Sequence, residues 1–170
     1  MIEVWRGELA EASVSALIRP ITAVGEAATA ASRRVELAAG ALPGEQLRNF
    51  GELPVGAAVI TAAGALAVDY LIHVVVRSVE QPVTAVVVRQ CLTNAFRRLD
   101  EWGVESVALP LLGTGAGNLD PGEAAAVVIP LLREFTAATP RRVVLVTDGV
   151  YEHGLVEQEL ARSAVVRPSS

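Results

Sequence analysis

The feature that most limits what this chain can fold into is the alternation of short apolar runs with longer, Ala-rich stretches of helical period. The longest apolar runs are Leu71–Val76, Thr84–Val88 and Val143–Val146, far below the roughly 20 residues of a membrane-spanning helix. Strand-like and helix-like segments that alternate in this way over 170 residues predict one layered α/β domain. The mean hydropathy of +0.44 then reflects Ala and Val on helices that cover a sheet.

Ile2–Arg6 and Ser15–Arg19 read as two early strands, and Gly25–Ala39 as a helix closed by Gly40. Residues 41–56 hold three Gly and two Pro and read as an irregular connection. Ala57–Ala62 and Tyr70–Val76 are the next strands. Pro82–Trp102 is a long helix, with Pro82 in its first turn and Gly103 closing it. Ser106–Leu112 is a buried strand. Pro121–Ala138 is helical, with Pro130 expected to bend or divide it. Arg142–Thr147 is the last strand and Tyr151–Arg162 the last helix. Residues 1–165 are expected to form the single domain, and 166–170 a disordered tail.

Charge and side-chain inventory exclude several functions. The net charge is −5 and no basic run exceeds two residues, against a nucleic-acid-binding face. All the basic residues are Arg, so no lysine amine exists for Schiff-base chemistry. A single cysteine and two histidines without paired spacing argue against a structural zinc site, and neither metal nor cofactor is expected. The N-terminus carries Glu3 and Arg6 before any apolar stretch, unlike a signal peptide. A soluble, cytoplasmic protein is expected, with no membrane partner and a possible homodimer face in its apolar excess.

The sharpest chemical signal is Leu111-Leu112-Gly113-Thr114-Gly115-Ala116-Gly117-Asn118. Glycines at 113, 115 and 117 follow a strand, where the backbone must turn tightly and expose N–H groups. Asp120 reads as the cap of the next helix, Pro121 as its first residue and Glu123 as a capping-box partner. Free N–H groups beside a helix N-terminus attract anions, phosphates above all; a merely structural turn explains the spacing equally well. The spacing is not G-x-G-x-x-G and follows a late strand, unlike a dinucleotide fingerprint, and no Lys follows as in a P-loop.

The chain resembles macrodomains. The resemblance is carried by Leu53-Pro54-Val55-Gly56-Ala57-Ala58-Val59-Ile60-Thr61, by Val68-Asp69-Tyr70-Leu71-Ile72-His73, and by the stretch from Gly103 through Pro110 into Gly115. Arg6-Gly7-Glu8-Leu9 is similar to the family's Gly-Asp-Ile/Leu signature. The order of elements agrees from Ile2 to about Arg162. The resemblance implies a three-layer α/β/α fold around a mixed sheet of about six strands. It also implies binding of ADP-ribose or a related phosphorylated metabolite, and in some members hydrolysis of ADP-ribosyl bonds.

Carried over residue by residue, it makes Glu8 and Leu9 the base-reading pair and Gly113, Thr114, Gly115, Ala116, Gly117 and Asn118 the second phosphate loop. Tyr151 is the aromatic near the base, with Asp148 the alternative in that slot. Arg19-Pro20-Ile21-Thr22 stands where the family carries Asn-Ala-Ala-Asn, and only Gly25 remains of the glycine run that follows. Thr22 and Arg19 are therefore read as ligand contacts without the usual amides. Arg19 pairs either with a ligand phosphate or with Glu8 or Glu26. The substitutions speak against the usual hydrolase route, and the absence of Lys excludes the lysine-dependent one. Binding without catalysis is the first reading. A hydrolase with a rearranged site using Asp120, Glu26 or Arg19 is the second, and a ligand-free domain acting through oligomerisation the third. His73 and Cys91 are expected in the core, and Arg33-Arg34 and Arg97-Arg98 on solvated helix faces.

Overall fold

The computed structural model describes residues 1–115 and 118–165. Ala116, Gly117 and the expected tail lie outside the described residues. Six strands form one sheet in the order β1-β6-β5-β2-β4-β3. They are β1 (Ile2–Arg6), β2 (Ala16–Thr22), β3 (Ala58–Ala62), β4 (Tyr70–Arg77), β5 (Ser106–Pro110) and β6 (Arg142–Thr147). All neighbours are parallel except β3, which runs antiparallel to β4 at the edge. The helices are α1 (Ala30–Ala39), α2 (Ala41–Arg48), α3 (Ala85–Glu101), α4 (Pro121–Ala138) and α5 (Val150–Val165). The mixed, six-stranded, three-layer arrangement anticipated from the sequence is the one found. No described helix is long and apolar enough to cross a membrane.

Side chains alternate across each strand, so the two faces of the sheet have separate cores. On one face Ile18, Ile72, Val107 and Leu145 pack against α3, α4 and Val156 of α5. On the other, Leu17, Leu71, Ala108 and Val144 meet Val35 of α1 and Leu9 of a short 3-10 turn. A third cluster on that face joins Ile21 and Val75 to Leu47 of α2.

Three expected elements differ. Residues 41–56 are not wholly irregular, because α2 occupies Ala41–Arg48. Pro43 falls in its first turn, where a missing N–H costs nothing, and burying Pro43 and Leu47 stabilises a helix that propensity alone would not. The first helix begins at Ala30 rather than Gly25: Thr29 caps it, its hydroxyl accepting from the Ser32 N–H at 3.1 Å. Pro130 does not divide α4, which continues through it with Pro130 on the exposed side.

β2 also runs on past its expected end, to Thr22, with Pro20 inside it. It pairs with β4 along its whole length but with β5 only at Ala16↔Val107 and Leu17↔Ala108. In a parallel strand the N–H and C=O of one residue point the same way. The Pro20 carbonyl accepts from Ala28 N (3.1 Å), in the segment that leads into α1, and from Ser32 Oγ (2.7 Å) in its first turn. Its absent N–H therefore lies on the side where the ladder with β5 has already ended, which is where a proline can sit in a strand.

Candidate functional site

The carboxyl ends of β1, β2, β5 and β6 lie on one edge of the sheet, the edge on which parallel α/β sheets hold ligands. The residues singled out as candidates come from the segments that leave these strands.

After β5 the chain turns through Gly113 and Gly115, at φ of +94° and +123°. A Cβ at Gly113 would lie 2.8 Å from Val88 Cγ2 and 3.1 Å from Leu119 Cδ1, so only glycine fits. The turn is closed by Leu119 N to Gly113 O (2.8 Å) and Asn118 N to Gly115 O (3.1 Å). The Asn118 amide folds back onto the Thr114 carbonyl at 3.2 Å, and the Thr114 hydroxyl donates to Leu111 O at 3.0 Å. The Thr114 and Gly115 N–H groups find no partner among the described residues. A Cβ at Gly115 would lie 3.7 Å from Thr29 Cγ2, so this turn stands against the capped start of α1. There the N–H groups of Ala30 and Ala31 are likewise unpaired among the described residues. Asp120 caps α4 as expected, its Oδ2 accepting from Gly122 N at 3.2 Å, but the Glu123 side chain makes no reciprocal bond among the described residues.

The loop after β2 is different. Thr22 N donates to Glu26 O (2.8 Å), Gly25 N to Thr22 O (2.9 Å), Glu26 N to Thr22 Oγ1 (3.2 Å) and Ala23 N to Arg77 O (3.0 Å). The segment returns antiparallel to its own strand through the Ile21↔Ala27 bridge. The Thr22 hydroxyl, expected from the sequence at a ligand, holds this turn together. Grooves of about 450 and 310 Å³ flank this loop, the first lined by Glu26, Arg33, Glu36 and Arg48, the second by Thr22, Glu26, Arg77 and Glu80.

Arg19 corrects an expectation. It is 1% exposed and points beneath α1, and its ion-pair partner is Glu36 at 3.8 Å rather than Glu8 or Glu26. The strand period decides this: Arg19 lies between Leu17 and Ile21 on the face that α1 covers. Its Nε donates to His73 Nδ1 at 2.9 Å, and its Nη1 reaches Ser32 Oγ and O at 3.3 and 3.4 Å. Because Nδ1 accepts, the neutral His73 ring carries its proton on Nε2, facing Thr61 Oγ1 at 2.8 Å. Burial, reinforced by the Arg19 charge, holds the His73 pKa down at about 3. Burial also lowers the Arg19 pKa, against the opposing pull of Glu36. His73 is the core histidine expected. Cys91 is buried too, donates to Val75 O, and burial pushes its thiol up to about 12, so neither is available as a base or nucleophile.

At the other end of the edge, Leu9 is 2% exposed and its side chain belongs to the core, whereas Glu8 is open to solvent. Tyr151 opens α5 and is 72% exposed. Arg34 of α1, taken from the sequence as a solvated helix residue, joins this region: its Nε donates to Glu8 Oε2 at 3.0 Å, and its Nη2 lies 3.8 Å from Asp148 Oδ1. Helical period alone could not single it out. Among the described residues no cluster of His, Cys, Asp and Glu could hold a metal ion.

A family model described as Macro domain matches residues 21–128. The chain is 30% identical over 156 residues to an uncharacterized protein of Aeropyrum pernix, covering 88% of this chain and 79% of that protein. It is also 30% identical over 137 residues to the mouse ADP-ribose glycohydrolase MACROD1, covering 79% of this chain but only 42% of that protein. The Oceanobacillus iheyensis macrodomain with ADP superposes with a TM-score of 0.85 at 19% identity, covering 96% of this chain and 91% of that one. The Trypanosoma brucei macrodomain in complex with ADP superposes at 0.83 and 16% identity, covering 94% and 68%.

Proposed function

The chain belongs to the Macro domain family, and on that premise we propose that it is a binding module for ADP-ribose or a related nucleoside diphosphate. The observation that carries the reading is the approach of the 113–118 turn to the capped N-terminus of α1. The N–H groups of Thr114, Gly115, Ala30 and Ala31, without partners among the described residues, belong to these two adjoining segments. Such groups, added to the positive end of a helix, suit a diphosphate. The structures of relatives with ADP support the same ligand class.

Holding, rather than cleaving, is the function we assign. Thr22 stands where the resemblance would place an amide to orient the ribose, and its hydroxyl already accepts from Glu26 N. Of the three candidates for a rearranged hydrolytic site, Arg19 is buried beneath α1 and Asp120 is engaged as the cap of α4, while Glu26 lies exposed in the loop after β2.

Titration calorimetry with ADP-ribose tests the binding. Saturable heat and a raised melting temperature are expected, and the absence of both at about millimolar ligand overturns the reading. Release of ADP-ribose from a mono-ADP-ribosylated protein on prolonged incubation would overturn the assignment as a non-hydrolytic module.

A further inference from the structure

The segments that follow β1 and β6 are linked by a charged group that the family resemblance does not supply. Arg34 reaches from α1 to Glu8, which follows β1, and to Asp148, which follows β6. Resting on the nucleotide-binding reading above, we propose that Arg34 reads the base jointly with Glu8, and that the site therefore accepts 6-oxopurine as well as 6-aminopurine nucleoside diphosphates.

The argument is one of donors and acceptors. A carboxylate only accepts, so Glu8 alone can take the amino hydrogen of a 6-aminopurine or the N1–H of a 6-oxopurine but leaves the O6 carbonyl of the latter without a donor. Arg34 only donates. Its Nε occupies Glu8 Oε2 at 3.0 Å, so this one contacting pair carries both an acceptor, Oε1, and the donors of the outer guanidinium nitrogens. A 6-aminopurine matches that pair by giving its amino hydrogen to Glu8 and taking one from Arg34 at a ring nitrogen. A 6-oxopurine matches it in the opposite sense, its O6 accepting from Arg34 and its N1–H donating to Glu8. Asp148, whose Oδ1 lies 3.8 Å from Arg34 Nη2, offers a further acceptor to a 2-amino group. Arg34 and Glu8 are 43% and 46% exposed, so their pair contributes little to folding and can be dismantled without unfolding the chain.

Calorimetry with ADP, GDP and UDP on the full chain tests this. The wild type is expected to bind ADP and GDP within about threefold of each other, and UDP, too small to reach the pair, about tenfold more weakly. Arg34→Ala should weaken GDP at least about tenfold and ADP by less than about threefold, and Arg34→Lys should restore most of the GDP affinity. Arg97→Ala, the same charge loss on the solvent side of α3, should leave both unchanged. A wild-type preference for ADP of about tenfold or more overturns the proposal while leaving nucleotide binding intact. Equal losses of ADP and GDP in Arg34→Ala overturn it too, reducing Arg34 to general attraction for the diphosphate. If neither ADP nor ADP-ribose binds, the functional reading fails and takes this inference with it.

Discussion

The loops that follow β2 and β5 face each other across the start of α1, yet they use their backbones in opposite ways. The loop after β2 closes on itself: the N–H groups of Thr22, Ala23, Gly25 and Glu26 all go to its own or neighbouring chain. It is held from below as well, because Ser32 ties the Pro20 carbonyl to α1 and Arg19 ties Ser32 to His73 and the sheet. The turn after β5 is closed by two backbone bonds and leaves Thr114 and Gly115 N–H unpaired among the described residues. The difference teaches where rigidity and recognition reside. One loop is a strut that bonds mostly to itself, with the Val24 N–H left without a partner among the described residues, and the other is an open turn, the cradle of the proposed function, whose successive Thr114 and Gly115 N–H groups are both left so.

The largest effect should come from cutting the strut at its root. Arg19→Ala strands His73 and Ser32 without their partner in a buried site and should cost about 3–5 kcal/mol, lowering the melting temperature by roughly 10 °C. If the cost reflects unpaired polar groups rather than lost shape, Arg19→Met with His73→Leu should recover most of it; a double variant as unstable as Arg19→Ala would show the network itself to be indispensable.

The cradle should fail differently. Gly115→Glu places a carboxylate where the diphosphate would sit and should weaken ADP-ribose about 100-fold or more, by calorimetry; its cost in stability should be smaller, about 1–3 kcal/mol, set by the φ of +123° that a non-glycine residue must adopt there.

Acid should find the strut before the cradle. His73 has a folded pKa near 3 and an unfolded one near 6.5, so the unfolded chain binds the extra proton first. Its contribution is complete above about pH 6.5 and is lost as pH falls toward 3, so the urea midpoint should drop across that window. The slope should flatten in the Arg19→Met/His73→Leu variant. Smallest of all, Thr22→Val removes one acceptor from a partly exposed N–H and should cost about 1 kcal/mol or less in a urea melt.

Much of this was legible in the residues. The six strands follow from apolar runs of strand length, and the glycines at 113 and 115 do mark the positive-φ turn. The cap at Asp120 was equally plain. What escaped was whatever depends on the pairing of distant segments. Nothing local says that Arg19 will lie opposite His73 in the neighbouring strand, because register is a property of two strands together. For the same reason Glu36 could not be chosen over Glu8 or Glu26, nor Arg34 separated from Arg33. Helix α2 was hidden because its glycine and two flanking turns outweigh the burial of Pro43 and Leu47 in any local reading.

The interruption at Pro20 has a mechanical consequence. Between β2 and β5 only two register pairs, Ala16↔Val107 and Leu17↔Ala108, join one half of the sheet to the other. The sheet is thus two three-stranded leaves, β1-β6-β5 and β2-β4-β3, laddered together along a short spine at the base and parted toward the carboxyl ends, with one core under α3 and α4 spanning both. The carboxyl edge is the fore-edge of that book, and a few degrees of rotation about the spine would change its width while the turns beside it keep their shape.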